Sequence, residues 1–289
     1  MKIALVDGYN LAFRAFYGMP DLTRKDGFPT GALHGWVRSL WWVDDRLAPD
    51  RLVVFFDLGG AARQTALHAD YKANRKETPP ALEQQIPAIK QWTRAMGYTG
   101  VERDGVEADD LIASVAVRRA EAGDTVMVVS ADKDLAQLVR PGVTQWMPPP
   151  TANPKLGWRE LDEEAVHKKF GVKAAQIPDY LALIGDTSDN IPGLAGVGPK
   201  TAAKWLAQYK NLAGVLAHSG ELQPKRFQPL VHAAREDLLR NLEMTRLDTA
   251  LDVSAVDEVS PPDPGAVIAL LEEMEMGASA KAARERFAR

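Results

Sequence analysis

The chain has 289 residues, of which 46% are hydrophobic and 26% charged, the balance of a folded globular protein with room for one large or two smaller domains. It contains no cysteine, so a disulfide framework is excluded. No stretch approaches the roughly 18 apolar residues of a membrane span, and the formal net charge of −4 makes the chain mildly acidic as a whole.

Three short apolar runs in the first half of the chain each lead into aspartates. Each run is rich in β-branched or aromatic residues and is followed by turn or helix signals, which favours a buried parallel strand. Residues 1–146 alternate such runs with helical patterns, as βαβ units do. Because the carboxyl ends of parallel strands share one edge of a sheet, we expect these aspartates to converge there. The runs and their acids are Met1–Val6 with Asp7, Arg51–Phe56 with Asp57, and Thr125–Val129 with Asp132 and Asp134.

A fourth acidic group opens a helical pattern. Glu107, Asp109 and Asp110 directly precede the run Leu111–Ala116. Acids at a helix start more often complement the helix dipole than bind a ligand, and one aspartate after a strand is equally ambiguous. Taken alone, this group predicts a helix rather than a site.

The segment between Arg63 and Arg94 is rich in basic residues and is broken by Thr78–Pro80. Lys72 and Arg75 are three residues apart, which puts them on one face of a helix if the segment is helical. The two prolines favour two helices joined by a turn over one continuous rod. A charge run by itself is more often a solvated face than a binding site.

The second half of the chain has a different organisation. The run Met147–Pro154 interrupts the alternation of strands and helices. Helical patterns then dominate, which predicts a second, small domain after about residue 166, and the stretch Ala250–Pro264 is irregular. The predicted helices are Glu163–Phe170, Pro178–Ile184, Thr201–Tyr209, Pro229–Leu247 and Gly265–Met276.

Residues 185–204 hold the most informative pattern in the chain. Two carboxylates, Asp186 and Asp189, precede a glycine-rich turn and a lysine-bearing helix. Glycines permit close backbone approach, and exposed amides at a helix start can cradle a phosphate without reading a base. A nucleic-acid backbone is therefore the implied ligand, with a helix–turn–helix corner and a solvated loop as the alternative. The glycines and lysines are Gly193, Gly196, Gly198, Lys200 and Lys204.

The nine acids at predicted element ends argue together for a metal site. Packed together, they would repel one another and raise one another's pKa unless cations neutralised them. The all-oxygen donor set suits Mg²⁺ or Mn²⁺, since no cysteine and no paired-histidine spacing suggests zinc. Two ions about 4 Å apart would clamp the attacking and leaving oxygens of a phosphodiester. Without the nine acids the formal charge changes from −4 to +5, a basic background for a nucleic acid.

Six motifs run through the chain in a recognisable order. They are Asp7-Gly8 with Leu11–Arg14, Phe56-Asp57, Tyr71–Arg75, Val106–Asp110, Ser130–Leu135 and the segment 185–204. Together they resemble the structure-specific 5′-nucleases, a family that includes the 5′→3′ exonuclease domain of bacterial DNA polymerase I, bacteriophage 5′-nucleases and flap endonucleases. The resemblance covers roughly residues 1–248.

The resemblance implies an α/β fold in which a central, mostly parallel sheet is flanked by helices, as in PIN-like and resolvase-like nuclease cores. It also implies a helical arch and a C-terminal helical domain, whose helix–hairpin–helix holds duplex DNA. We expect the core over residues 1–166 with the arch at about 60–95, and the helical domain over 167–289 with the helix–hairpin–helix at about 181–209. Two or more Mg²⁺ or Mn²⁺ ions are expected, and K⁺ is a further candidate at the hairpin.

Matching the motifs residue by residue assigns the metal ligands and the principal cations. Lys72 would contact the scissile phosphate and stabilise developing charge, with Arg75 beside it. Asp110 is a candidate for the outer shell. The proposed metal-binding set is Asp7, Asp57, Glu107, Asp109, Asp110, Asp132, Asp134, Asp186 and Asp189.

Other positions are matched for DNA contact. Arg14 is expected to bind a phosphate, and Tyr71 to stack on a base, with a packed tyrosine as an equal alternative. Arg63 matches a basic arch position. Ala62 departs from the family pattern, which often has an aromatic residue there. The glycines and lysines of 185–204 complete the expected DNA-binding set.

The function that we predict is divalent-metal-dependent hydrolysis of DNA phosphodiesters near a 5′ end or at a flap base, in replication and repair. Expected substrates are flaps, nicks and gaps, with RNA-primed 5′ ends as a further candidate; no membrane partner is expected. Since no polymerase region follows Arg289, we expect a freestanding, monomeric nuclease in the cytoplasm, associated with the nucleoid if the source is bacterial.

Three alternatives stand beside that function. A catalytically silent DNA-junction-binding protein would have lost some of the nine acids. A PIN-type ribonuclease would normally lack both the hairpin module and the arch, so residues 185–204 discriminate against it. A response-regulator or phosphatase-like domain would use one phosphorylated aspartate and leave eight acids unexplained.

Overall fold

A six-stranded sheet forms the centre of the first half of the chain in the computed structural model, which describes residues 1–75 and 77–288. Its strands are β1 (Lys2–Asp7), β2 (Arg51–Asp57), β3 (Thr99–Arg103), β4 (Thr125–Val129), β5 (Val143–Met147) and β6 (Arg159–Leu161). They stand in the order β3-β2-β1-β4-β5-β6, parallel except for β6, which runs antiparallel to β5 at one edge. The predicted central, mostly parallel sheet is confirmed.

The helices follow the strands in chain order. They are α1 (Gly8–Gly18), α2 (Gly31–Leu47), α3 (Ala62–Leu67), α4 (Pro80–Glu83), α5 (Ile86–Ala95), α6 (Ala108–Glu121), α7 (Glu163–Phe170), α8 (Ile177–Ile184), α9 (Pro199–Tyr209), α10 (Leu212–Ala217), α11 (Gln228–Ala233), α12 (Arg235–Thr245), α13 (Pro264–Glu273) and α14 (Gly277–Phe287). Single 3₁₀ turns cover Asp134–Leu138, Pro154–Leu156, Ala174–Gln176, Ser219–Glu221, Lys225–Phe227 and Ser254–Asp257. Two short strands, β7 (Gly185–Asp186) and β8 (Ile191–Pro192), pair in a small antiparallel hairpin.

Strand β1 is buried on both faces, as its continuous apolar run predicts. Successive side chains of a strand point to opposite faces, and the first core of the protein, which surrounds the sheet, has a separate cluster on each face of β1. Ala4 and Val6 pack in a cluster with α2, whereas Ile3 and Leu5 pack in a cluster with α6. Helices on both sides therefore hold the sheet in place and leave its carboxyl edge for a site.

A second core lies among the helices of the second half. Leu183 of α8 and Trp205 of α9 are buried there together with Met147 of β5 and Leu161 of β6. The helical part thus packs directly against the edge of the sheet. Residue 166, where we predicted the domain boundary, lies inside α7 and is buried in this second core.

The last two helices return to the first core, which differs from the predicted assignment of residues 167–289 to one helical domain. Val267 of α13 and Ala280 and Ala283 of α14 are buried in the same cluster as β1 and α2. The sequence pattern missed α14 because its buried face consists of alanines, which give weak hydrophobic periodicity.

Other predicted helices changed in their bounds. The predicted helix Pro229–Leu247 is interrupted at Ala234 into α11 and α12, and the predicted last helix ends at Glu273. Glu163–Phe170 has the predicted bounds. No helix within residues 1–75 and 77–288 is both long enough and apolar enough to cross a membrane.

The predicted arch region, residues 60–95, contains less helix than expected. α3 and α5 lie at its two ends, residues 69–74 form turns, and Lys76 lies outside the described residues. Lys72 has a φ of 57°, in the left-handed region, so the segment is not helical at this point and the condition for a shared helix face of Lys72 and Arg75 is not met. The reason is tertiary: the Lys72 amide donates to the carbonyl of Asp189 at 3.1 Å rather than to its own turn.

Candidate active site

The predicted acids meet at the carboxyl edge of the sheet. β1 pairs with β2 on one side and β4 on the other, so the strand ends that carry Asp7 and Asp57, and the loop after β4, lie side by side. A cavity of about 390 Å³ opens there. Five of the nine predicted acids line it: Asp7, Asp57, Glu107, Asp109 and Asp132.

Local hydrogen bonds orient the two strand-end aspartates. Asp7 begins α1, and its Oδ1 accepts from the Asn10 amide at 3.1 Å while its Oδ2 accepts from the Ser130 hydroxyl at 2.8 Å. Asp57 Oδ1 accepts from the Ala108 amide at 2.7 Å. The bond from Ala108 to Asp57 holds the start of α6 against the end of β2, with Glu107 directly before the helix and Asp109 in its first turn.

Three further acids form a second group, which the structure places beside the first. One carboxylate oxygen from each of Asp134, Asp186 and Asp189 lies within 4.8 Å of the others, and all three residues are buried. Lys133 Nζ donates to Asp186 Oδ2 at 2.5 Å. The turn between the two strands of the small hairpin carries Asp189, so the hairpin brings Asp186 and Asp189 to the edge of the sheet.

Basic and phenolic groups of the arch region reach both groups of acids. Lys72 Nζ donates to Glu107 Oε1, and Arg75 Nη2 donates to Asp189 Oδ1 at 2.7 Å. The Tyr71 hydroxyl lies 3.1 Å from Glu107 Oε2 and 3.2 Å from Asp189 Oδ2. Lys72 and Arg75 therefore lie at the carboxylates although they do not share a helix.

Burial and mutual repulsion make the charged forms of these carboxylates unfavourable without a cation. Burial, together with the charges of Asp132 and Asp57, raises the pKa of Asp7 to about 7. Burial and the neighbouring Glu107 raise the pKa of Asp109 well above its ordinary value, and burial and Asp132 do the same to the pKa of Asp134. The arrangement therefore favours a ligand that carries positive charge.

Hard divalent cations fit this donor set. The eight carboxylates of the two groups offer only oxygen ligands, which Mg²⁺ and Mn²⁺ prefer. Among the described residues nothing donates a hydrogen bond to the buried Asp134 Oδ1, and such an orphaned acceptor is costly unless a ligand satisfies it. The oxygen-only chemistry of both groups thus agrees with divalent-cation binding, and Asp134, Asp186 and Asp189 lie close enough together to share one ion.

Asp110 does not belong to this centre, which corrects its inclusion among the predicted ligands. Its Oδ1 accepts from the Asp248 amide at 2.7 Å, and its Oδ2 from Gln64 Nε2 at 3.3 Å. Arg63 Nη2 lies 3.5 Å from Oδ1. Neighbouring residues on an α-helix point about 100° apart, so Asp109 faces the cavity while Asp110 faces α3 and the end of α12.

The remaining predicted DNA contacts divide into two kinds. Arg14 lines the cavity, and its Nη1 donates to the Pro149 carbonyl at 3.3 Å. Arg63 turns toward the protein, where its guanidinium donates to the carbonyls of Glu243 and Arg246 at 3.2 and 2.8 Å. A DNA contact by Arg63 stays a prediction.

The glycines of 185–204 have different reasons to be glycine. A Cβ on Gly193 would lie 2.2 Å from the Ile184 carbonyl, so internal packing requires this glycine. Gly196 has a positive φ of 76°. Gly198 begins α9 and has open space around it, and Lys200 and Lys204 are exposed on that helix. The start of α9 is therefore accessible to a ligand.

Several site residues were visible in the sequence without an assigned role. Lys133 lies between Asp132 and Asp134 in a quoted motif, yet its bond to Asp186 depends on the hairpin packing against the sheet. Ser130 directly follows β4, and its hydroxyl donates to Asp7 Oδ2. Aromatic residues of α1 also line the cavity, namely Tyr9, Phe13 and Tyr17; their spacing on one helix was the available signal.

The fold and the site define an α/β protein with an acidic centre at the carboxyl edge of its sheet and a helical second part. Two family models match the chain: the N-terminal resolvase-like domain of the 5′-3′ exonucleases over residues 2–171, and their C-terminal SAM fold over residues 172–264. The chain belongs to the 5′-3′ exonuclease family.

Individual relatives agree with that membership. A 5′-3′ exonuclease of Aquifex aeolicus is 37% identical over 275 residues, which cover 94% of this chain and 91% of that protein. DNA polymerase I of Bacillus caldotenax is 34% identical over 94% of this chain, which spans 31% of the polymerase. A crystal structure of the bacteriophage T5 flap endonuclease with DNA and metal ions has a TM-score of 0.70 at 21% identity, covering 99% of this chain and 98% of that one. At this level of identity, the similarity to the T5 flap endonuclease shows the shared fold alone.

Proposed function

We propose that the protein is a structure-specific 5′-nuclease, which hydrolyses DNA phosphodiester bonds near a 5′ end or at the base of a 5′ flap with the help of divalent ions. One observation carries the proposal above all: eight buried or half-buried carboxylates from distant parts of the chain converge beside Lys72 and Arg75. Membership of the 5′-3′ exonuclease family identifies phosphodiester hydrolysis as the chemistry that such a cluster would perform.

Mg²⁺ or Mn²⁺ are the proposed ions. Asp7, Asp57, Glu107, Asp109 and Asp132 would hold one part of the centre, and Asp134, Asp186 and Asp189 the other. When bound, such ions supply Lewis acidity and neutralise the charge of the reacting phosphate. The protein's own part is to fix these carboxylates through bonds such as that from Ala108 to Asp57.

Lys72 and Arg75 are the proposed phosphate-binding cations. Both line the cavity and both contact a carboxylate that a divalent ion would also seek. Ions at Glu107 and Asp189 would weaken these ion pairs and leave the two cations to bind the phosphate and stabilise its developing charge. Arg14, which also lines the cavity, is a candidate for an adjacent phosphate.

The start of α9 is the proposed duplex anchor. The exposed lysines and the open Gly198 support backbone contacts that do not depend on base sequence. The T5 flap endonuclease and the Rad2 catalytic core, which share this fold, were solved with DNA. K⁺ at this turn is part of the proposal, and so is a preference for branched DNA or RNA-primed 5′ ends.

The rival functions account for less of the molecule. A silent junction binder does not explain why eight acids remain assembled with a buried, unpartnered oxygen on Asp134. A PIN-type ribonuclease does not explain the C-terminal match over residues 172–264.

Cleavage of 5′-labelled flap, nicked, hairpin and RNA-primed substrates, with Mg²⁺ present or chelated, tests the proposal directly. We expect Mg²⁺-dependent products cut near the 5′ end or the branch point. Intact substrates of every kind in Mg²⁺ would contradict it.

A further inference from the structure

Two short segments clasp each other beside the candidate site. The first, residues 70–75, is here called the arch base and carries Lys72 and Arg75. The second, residues 187–190, is called the acid turn; it carries Asp189 and joins β7 to β8. Three hydrogen bonds connect them: Asn74 Nδ2 to the Thr187 carbonyl at 2.6 Å, Asn190 Nδ2 to the Asp70 carbonyl at 2.8 Å, and the Lys72 amide to the Asp189 carbonyl at 3.1 Å.

The clasp differs in kind from the ion pairs between the same segments. The ion pairs use the carboxylates of Glu107 and Asp189, which divalent ions would also bind. The clasp uses backbone carbonyls as acceptors and neutral amides as donors. Cations at the carboxylates would therefore compete with the ion pairs and not with the acceptors of the clasp.

We propose that Asn74 and Asn190 are positioning residues, which hold the arch base on the acid turn when its cations move from the carboxylates to a phosphate. The clasp fixes the backbone of Lys72 against that of Asp189, so the phosphate-binding cations keep their position relative to the metal-binding carboxylates. This inference rests on the proposed function for its catalytic consequence. Its structural part, the docking of the arch base, is independent of that function.

Each amide can be removed without disturbing the local backbone. Asn190 has a φ of 59°, a conformation that asparagine tolerates and glycine adopts freely, so Asn190→Gly deletes the donor and keeps the turn. Asn74 is exposed, and Asn74→Ala removes its donor alone. Asn153, in the exposed loop before the short turn at Pro154–Leu156, offers Asn153→Ala as a matched control outside the clasp.

Hydrogen exchange of the arch base, measured with Ca²⁺ present, tests the docking. A neutral hydrogen bond shifts an equilibrium by roughly three- to tenfold, so exchange over residues 70–75 is expected to speed up about threefold or more in each variant and further in the double variant. Asn153→Ala is expected to match the wild type. Thermal unfolding followed by circular dichroism confirms that each variant is folded.

Kinetics test the catalytic consequence on a duplex flap substrate with Mg²⁺. The double variant is expected to lower the single-turnover rate about tenfold while its Kd for the same substrate, measured in Ca²⁺, changes less than about twofold. A role confined to overall stability would not separate rate from affinity in this way.

Two results would overturn the proposal. One is unchanged exchange over residues 70–75 in both variants, which would mean that the amides do not hold the arch base. The other is faster exchange without the expected kinetic effect: either the single-turnover rate is unchanged, or it falls only by the same factor as the affinity for the substrate. If the wild type cuts no DNA, the proposed function fails, and the exchange measurement still decides whether the clasp holds.

Discussion

Replacing Asp7 by asparagine tests how much the clustering of acids lowers the free energy of unfolding. Burial, followed by the Asp132 and Asp57 charges, raises the pKa of Asp7 from 3.8 to about 7. A carboxyl whose pKa is higher in the folded chain than in the unfolded chain stabilises the fold fully below its unfolded pKa. That contribution is lost as the pH rises to the folded pKa.

The structure sets the expected magnitude. Each unit of pKa corresponds to about 1.4 kcal/mol, so between about pH 5.5 and the folded pKa of about 7 the free energy of unfolding should fall by about 2 kcal/mol through this group. Asparagine does not titrate. Its oxygen can still accept from the Asn10 amide, and losing the acceptor for Ser130 costs about 1 kcal/mol at every pH.

Urea unfolding in a chelating buffer at about pH 5.5, 6.5 and 7.5 measures the effect. The free energy of unfolding of Asp7→Asn, relative to the wild type, should increase by about 2 kcal/mol across this range. Asp21→Asn, at an exposed aspartate, should show no such trend. If the difference in the free energy of unfolding between Asp7→Asn and the wild type stays constant with pH, burial and repulsion do not raise the pKa of Asp7.

Four further variants test separate parts of the site. Lys72→Ala should slow single-turnover cleavage about 10²–10³-fold with little change in DNA affinity; an unchanged rate would remove Lys72 from the reaction. Lys200→Ala with Lys204→Ala should lower the slope of log affinity against log salt by up to about two for two duplexes of unrelated sequence, and an effect on only one sequence would contradict a backbone anchor. Asp110→Asn should lower the free energy of unfolding by about 1–3 kcal/mol, because the charged group that pairs with Arg63 is lost, and should keep divalent-ion binding. Asp109→Asn should weaken divalent-ion binding, measured by calorimetry. Equal ion affinities in the two variants would contradict the assignment of Asp109, and not Asp110, to the ion-binding site.

The sequence predicted the acidic edge of the sheet because parallel strands bring their carboxyl ends together. Asp7 and Asp57 needed only that rule, and the loop after Thr125–Val129 followed from it. Asp110 could not be separated from Asp109 by composition, since only the packing of α6 decides which of two adjacent residues faces the cavity.

Elsewhere tertiary contacts overrode local pattern. Lys72 lies in a turn because the arch base docks on the acid turn, a long-range contact without a local signal. Gly193 looked like a phosphate-binding glycine, but its close approach to Ile184 explains it through packing. The alanine face of α14 lacked the periodicity of larger side chains.

Cleavage and binding by the double variant Asp57→Asn with Asp132→Asn test whether the carboxylates at the sheet edge form the active site. Asp57 ends β2 and Asp132 lies in the loop after β4, and both line the same cavity, whereas the proposed duplex anchor lies on α9. We expect Mg²⁺-dependent cleavage of a labelled 5′ flap to be abolished while binding of the same flap in Ca²⁺ stays close to that of the wild type. Full cleavage by the double variant would contradict the assignment of the carboxylate centre as the active site.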